Sequence, residues 1–347
     1  MWALSYDWLR RHTAGAVRQG LSFDSLMSEA LIDIKYGDNR DVIGPAQVML
    51  LCMNTTMGLE DAAHGLASAR ILPWHSALSL RVALGCATLG SAINAVSRFY
   101  ETISTAVRVK VHTEEDLVTV SVGVNAANAE DELQLEETYL TWIYMHCMYF
   151  LARPLPVIEV SVREPLHINL GRRHWGIGGM VRHGTVTSFR FSRSLLGAHS
   201  TNRAGDNVHF EVARLWLDFA QGARAAPGAI PYVGEGRFIR LKEMAEQRNV
   251  SRATMRRRLQ SADGGFRGGR ERALVEAAIS LLLAGEHTVD AISAELGYAD
   301  VRNFRRFFKN ATGLTPQQAR SRSASLASGE EQRILEKLAA KCAILSV

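Results

Sequence analysis

The segment AELGYADVRNFRRFFKNATGLTPQQAR, Ala294 to Arg320, decides the fold of the C-terminal part of the chain. Just upstream, Thr288 precedes Val289, Ile292 and Leu296, a hydroxyl N-cap ahead of an apolar stripe at helix spacing. Gly297 ends that helix, and Asp300 caps a second one expected over Val301 to Asn310. On the second helix Phe304, Phe307 and Phe308 share a side, while Arg302, Arg305 and Arg306 lie largely off it. A helix, a tight turn and a capped basic helix make a helix-turn-helix.

Working outward, the same pattern occurs some 50 residues earlier. Leu241, Met244 and Ala245 recur at helix spacing, Arg248-Asn249 makes a polar turn, and Ser251 stands at an N-cap position. The helix that follows, Arg252 to Gln260, puts Met255 and Leu259 on one side and Arg252, Ala253, Arg256 and Arg257 around the other. Between the two units, LVEAAISLLLA (Leu274 to Ala284) reads as a central helix packed by both. The basic helices are then expected near the ~34 Å that separates successive major grooves on one face of DNA.

Charge is distributed to match. Residues 230–325 hold 17 basic and 10 acidic side chains, net +7, against 23 and 25 elsewhere, net −2. Fifteen of those 17 are arginine, whose planar fork suits phosphate and guanine edges. A basic third on a near-neutral body is the electrostatic footprint of a nucleic-acid-binding protein.

Leu241 to Arg320 closely resembles the DNA-binding domain of AraC/XylS-type transcriptional regulators. Ala294 to Arg320 carries that family's signature, including the terminal G-x-T-P-x-x-x-R, and VSRATMRRRL resembles the first unit's counterpart. The resemblance implies DNA-contacting residues Arg252, Ala253, Thr254, Arg256 and Arg257 in the first recognition helix. In the second it implies Val301, Arg302, Asn303, Arg305, Arg306 and Lys309. It assigns Asn303, Thr312 and the amides behind Asp300 to phosphate. Three departures accompany it: Arg256 replaces a frequent glutamine, and Leu274 replaces an arginine. The third is Gly264, Gly265, Gly268 and Gly269, which loosen the connection between the units.

The stretch QGARAAPGAIPYVGEG, with four glycines and two prolines, reads as a linker over 221–236. It separates residues 1–220 from a DNA-binding domain at 237–325, followed by a helical tail at 326–347. The N-terminal part reads as α+β, with helices around a small antiparallel sheet. Helices are expected at Gln47 to Met53, Leu59 to Ala69, Leu89 to Tyr100 and Leu133 to Leu151. A hairpin is expected from Val107–Val111 and Leu117–Val124, with strands at Val157–Val162 and Val186–Phe191. This order, ending VTSFRFSRSLL, resembles the effector domain of the OruR-like branch of AraC regulators. On the long helix, Tyr139, Trp142, Met145, His146 and Tyr149 suit an apolar pocket with a few polar anchors, with Trp74, His75 and Arg98 as further candidates.

Other chemistries find little support. No window approaches the ~18 apolar residues of a membrane span, and the N-terminus has no basic region before an apolar one. Cys52, Cys86, Cys147 and Cys342 are scattered, and no histidine pair has zinc-ligand spacing, so neither a metal nor a cofactor is expected. Gly176-Ile177-Gly178-Gly179 lacks the complete dinucleotide fingerprint, and no nucleophile elbow or phosphate loop occurs. The chain reads as a cytoplasmic, non-enzymatic regulator of promoter DNA, homodimeric, responsive to a small and largely apolar effector, and meeting RNA polymerase if it activates. The competing readings are a ligand-independent architectural protein and an enzyme brought to DNA by its basic tail.

Overall fold

The structure is a computed structural model that describes residues 2–3, 6–32, 42–43, 45–163, 180–200, 202, 205–222, 233–234, 237–238, 251, 253, 274–275, 278, 281–282, 287–312, 314–325 and 331–345. It divides into two compact units. The larger comprises Leu4–Ile34, Ile43–Gly222 and Gln332–Val347; the smaller comprises Met1–Ala3, Lys35–Val42 and Ala223–Glu331.

The larger unit begins with five helices: α1 (Tyr6–Arg18), α2 (Phe23–Glu29), α3 (Pro45–Leu59), α4 (Pro73–Leu84) and α5 (Leu89–Ile103). A hairpin of β1 (Val107–Glu114) and β2 (Leu117–Val124) leads to the long helix α6 (Ala129–Leu151). Three strands follow, β3 (Val157–Val162), β4 (Met180–His183) and β5 (Thr187–Ser192), and then α7 (Val208–Gly222). The sheet order is β1-β2-β5-β3-β4. The first four strands are antiparallel neighbours, as expected, but the short edge strand β4 runs parallel to β3. Val120 lies opposite Val111 on one side and Phe189 on the other, all on the face that alternation directs inward.

Helix α6 is the centre of this unit. Asn128 accepts the Asp131 amide at 2.9 Å, and Glu130, Asp131 and Glu132 sit in the first turn, where the helix dipole favours negative charge. Burial continues around most of its circumference from Gln134 to Leu151, the mark of a helix enclosed by other elements. It packs against α1, α4, α5, α7, β2 and β5.

Two expectations need correction. Residues 59–69 do not continue as a helix: α3 ends at Leu59, and Glu60 and His64 both take positive φ. The cause is Asp61, whose buried carboxylate draws the amides of Ala63, Gly65 and Ile71 to 2.9 Å each and folds the loop around itself. Helix α1 approaches this loop closely enough that a Cβ on Gly15 would stand 2.3 Å from His64 O. Helix α4 was not anticipated; it starts on Pro73 at the first helical position, which needs no donor there.

In the smaller unit the described helices are α8 (Val289–Glu295), α9 (Val301–Thr312) and α10 (Pro316–Ser325). Leu274, Val275, Ala278 and Leu282 of the central segment are helical and buried with Val289, Ile292, Leu296, Phe304, Phe308, Ala311 and Ala319. The glycine-rich connection lies outside the described residues. The final helix, α11 (Glu331–Ile344), belongs to the larger unit, where Ile334, Leu338, Cys342 and the following Leu345 are buried. The sequence reading had set residues 326–347 apart as a tail.

Candidate functional site

The second helix-turn-helix is assembled by capping and by an aromatic core. Thr288 accepts the Ala291 amide at 3.1 Å to start α8, and Gly297 at φ +79° closes it. Asp300 then accepts the Arg302 amide at 2.8 Å, and its carbonyl takes the Asn303 amide at 3.1 Å. Phe304 and Phe308 are fully buried, with Tyr298 tilted against Phe304 and Phe307. Because α9 is anchored by that stripe, Arg302, Asn303, Arg305, Arg306 and Lys309 are all exposed, and Val301 is half-buried at its start. Arg306 Nη2 donates to Asn303 Oδ1 at 3.2 Å, which spreads the guanidinium along the exposed face. Arg305 reaches Asp290 on α8 at 3.3 Å, an exposed pair that a phosphate or base would displace at little cost.

Two phosphate assignments do not survive. Thr312 is buried and donates to Phe308 O at 2.7 Å, so its hydroxyl holds the end of α9. The amides of Arg302, Asn303 and Phe304 behind Asp300 are already taken by Asp300 itself. The signature's ending is likewise structural: Thr315 and Gln318 exchange caps at 3.1 and 2.8 Å, and Arg320 donates to His287 O at 2.5 Å, tying α10 back to the start of α8. Of the first helix-turn-helix, Ala253 is helical and exposed and Ser251 is exposed. Arg252, Thr254, Arg256 and Arg257 lie outside the described residues.

The larger unit holds an apolar cavity of about 100 Å³. Tyr139, Trp142 and Met145 of α6 line it, together with Met49, Cys52, Met53 and Thr56 of α3. Ser76 of α4, His64 of the Asp61 loop, His209 of α7 and Leu345 beyond α11 also line it. Sequence reasoning missed these four, and it missed the α3 stripe too, although Met49, Cys52, Met53 and Thr56 stand at i, i+3, i+4 and i+7.

Other effector candidates sit elsewhere. His146 faces a small void beside Ala83, Leu89 and Ile93, its Nδ1 donating to Trp142 O and its Nε2 2.8 Å from Ser79 Oγ. Tyr149 donates to Glu211 at 2.5 Å. Trp74 is largely exposed and meets His75 edge-on, while His75 meets Phe99; these residues and Arg98 do not line the cavity.

Burial keeps the cavity's titratable groups neutral. It lowers His64 to about 4 and His209 to about 3, and it raises the Cys52 thiol to about 12. His209 stacks on Trp142 at 4.9 Å, and His64 Nε2 pairs with Thr56 Oγ1 at 3.0 Å. Among the described residues no cluster of histidine, cysteine and carboxylate could hold a metal, and no helix is long and apolar enough to cross a membrane.

A capped basic helix over an aromatic core, joined in one chain to a helix-and-sheet unit with an apolar cavity, defines a two-part DNA-binding regulator. Comparison with known families agrees. Residues 244–322 match the model of a helix-turn-helix domain, and residues 20–196 match that of the arabinose-binding N-terminal domain of AraC transcription regulators. The second match spans just over half the chain, and the protein belongs to the AraC transcription regulators, with an effector-binding domain ahead of its DNA-binding domain. Two solved structures are similar to parts of it. One is a DNA-binding transcriptional dual regulator from Escherichia coli K-12, 20% identical over 27% of this chain and 83% of that one, at a TM-score of 0.25. The other is the transcriptional regulator CdpR from Pseudomonas aeruginosa, 16% identical over 92% of this chain and 99% of that one, at a TM-score of 0.30. No curated protein sequence matches the chain.

Proposed function

We propose that this protein is a one-component, cytoplasmic regulator that binds promoter DNA as a homodimer and answers to a small molecule held in the α3–α6 cavity. The observation that carries the DNA side is the exposed row Arg302, Arg305, Arg306 and Lys309 on a helix locked by Asp300 and two buried phenylalanines. Arginine contacts to phosphate supply most of the affinity, so log K falls by about 0.9 per contacted phosphate for each decade of salt. Base-edge contacts from Arg302 and Arg306, with the first unit's Arg252, Thr254, Arg256 and Arg257, supply the sequence preference. Four helix-turn-helix units in a dimer gain from effective concentration on paired half-sites.

Control follows from connectivity. The chain enters the DNA-binding domain after α7 and leaves it through α11, and both helices pack in the larger unit, where His209 and Leu345 line the cavity. An effector that repacks this wall therefore acts on both chain segments leading to the DNA-binding domain, provided it binds the two arrangements with different affinity. If the protein activates, such coupling governs its contact with RNA polymerase. Footprinting on fragments of its source genome at low ionic strength tests the reading. Protection of paired sites is expected; folded protein that protects no fragment overturns it.

A further inference from the structure

The family model is described as arabinose-binding, yet the cavity wall here is built for a different chemistry. We infer that the cavity takes an uncharged, mainly apolar molecule of about one ring, carrying at most one or two hydrogen-bonding groups, and that it is not a sugar or organic-acid site. The inference rests on the cavity being the effector site.

Three observations support it. First, among the described residues no lysine, arginine, aspartate or glutamate lines the space, so a carboxylate, ammonium or phosphate brought inside would meet no counter-charge from them. The histidines cannot supply one near neutral pH, because burial holds them in the uncharged form. Second, four of the five lining hydroxyls are already engaged, that of Ser76 being the fifth. Thr56 pairs with His64, Thr138 donates to Gln134 O at 2.9 Å, Thr141 to Glu137 O at 3.0 Å and Tyr139 to Ala62 O at 3.4 Å. A pentose, with a hydroxyl on almost every carbon, would leave most of them unpaired on burial. Third, the lining residues keep three buried ring nitrogens without hydrogen-bond partners, His64 Nδ1, His209 Nδ1 and Trp142 Nε1, enough for one or two polar groups. The imidazole nitrogens serve as donor or acceptor according to tautomer, and the indole donates only. At about 100 Å³ the space is close to the ~150 Å³ apolar cavities that accept benzene, which sets the size.

Phenol, L-arabinose and benzoate separate the ligand classes when titrated into the full chain by calorimetry and thermal shift. Phenol is expected to bind and raise the melting temperature, while arabinose and benzoate leave it unchanged. Met145→Trp and Ala62→Leu each fill the cavity from a different element, so one remains informative if the other fails to fold; either is expected to abolish the phenol response. Binding of arabinose or benzoate that the filling variants abolish would overturn the ligand class and leave the site standing. A phenol response undiminished in a folded filling variant would overturn the site itself. Wild-type protein that responds to none of the three probes would also overturn the inferred class.

Discussion

Asn207 Nδ2 donates to the carbonyl oxygen of Ala339 at 3.3 Å, joining the residue ahead of α7 to the middle of α11. The start of α7 is therefore tied to α11 within the effector-binding unit, although the DNA-binding domain separates them in sequence. Leu338 beside this bond is fully buried. Leu338→Ala is expected to cost about 2–5 kcal/mol, the usual penalty for a cavity left in a packed core. Urea denaturation of the full chain, followed by tryptophan fluorescence, checks it. A loss below about 0.5 kcal/mol would mean that α11 is only loosely attached.

Arg306 and Arg305 are both exposed on α9 but differ in what holds them. Arg306 leans on Asn303 of its own helix, whereas Arg305 is paired to Asp290. Arg306→Ala is expected to lower affinity for a specific promoter site by about 1–3 kcal/mol and for random DNA by much less. Equal losses on both DNAs would reassign Arg306 to phosphate. Titrations at several salt concentrations read this directly, because losing a phosphate contact lowers the salt slope by about 0.9 and losing a base contact does not.

Asp290 pairs with Arg305 and is expected to compete with DNA for it. An exposed pair contributes at most about 1 kcal/mol to stability, so Asp290→Asn should leave the melting temperature nearly unchanged. It should raise DNA affinity by freeing Arg305 and removing a negative charge near the phosphates. Weaker binding by the variant would show that the pair holds Arg305 in its productive direction.

What could be read from the sequence follows local chemistry. Thr288, Gly297 and Asp300 act within three residues of their own position, and the phenylalanine stripe of α9 has the period of the helix it sits on. Both signals survive without knowledge of the rest of the fold. The cavity has no such signature. Its wall combines α3, the 60–70 loop, α4, α6, α7 and the chain end, and a methionine stripe such as Met49 and Met53 reads equally well as ordinary core. The loop was misread as helix because its shape comes from one buried carboxylate, Asp61, reaching forward to three amides. Trp74 and His75 have the composition of a pocket, but Trp74 is exposed and the half-buried His75 packs against Phe99, away from the cavity.

The buried histidines make the effector-binding unit sensitive to acid. Burial lowers His64 and His146 to about 4 and His209 to about 3, against about 6.5 in the unfolded chain. Between those values the unfolded state binds more protons than the native state, so stability rises with pH. The contribution is complete above about pH 6.5, declines as pH falls and levels off once the native histidines protonate near 3 to 4. Each histidine adds a slope of up to about 1.4 kcal/mol per pH unit within that window. Urea midpoints measured from pH 7.5 to 4.5 are therefore expected to fall steadily below about 6.5. His146→Gln, which keeps hydrogen-bonding groups near Ser79 and Trp142, should flatten the decline without abolishing folding at pH 7.5. An unchanged slope in that variant would show that His146 is not held neutral by its surroundings.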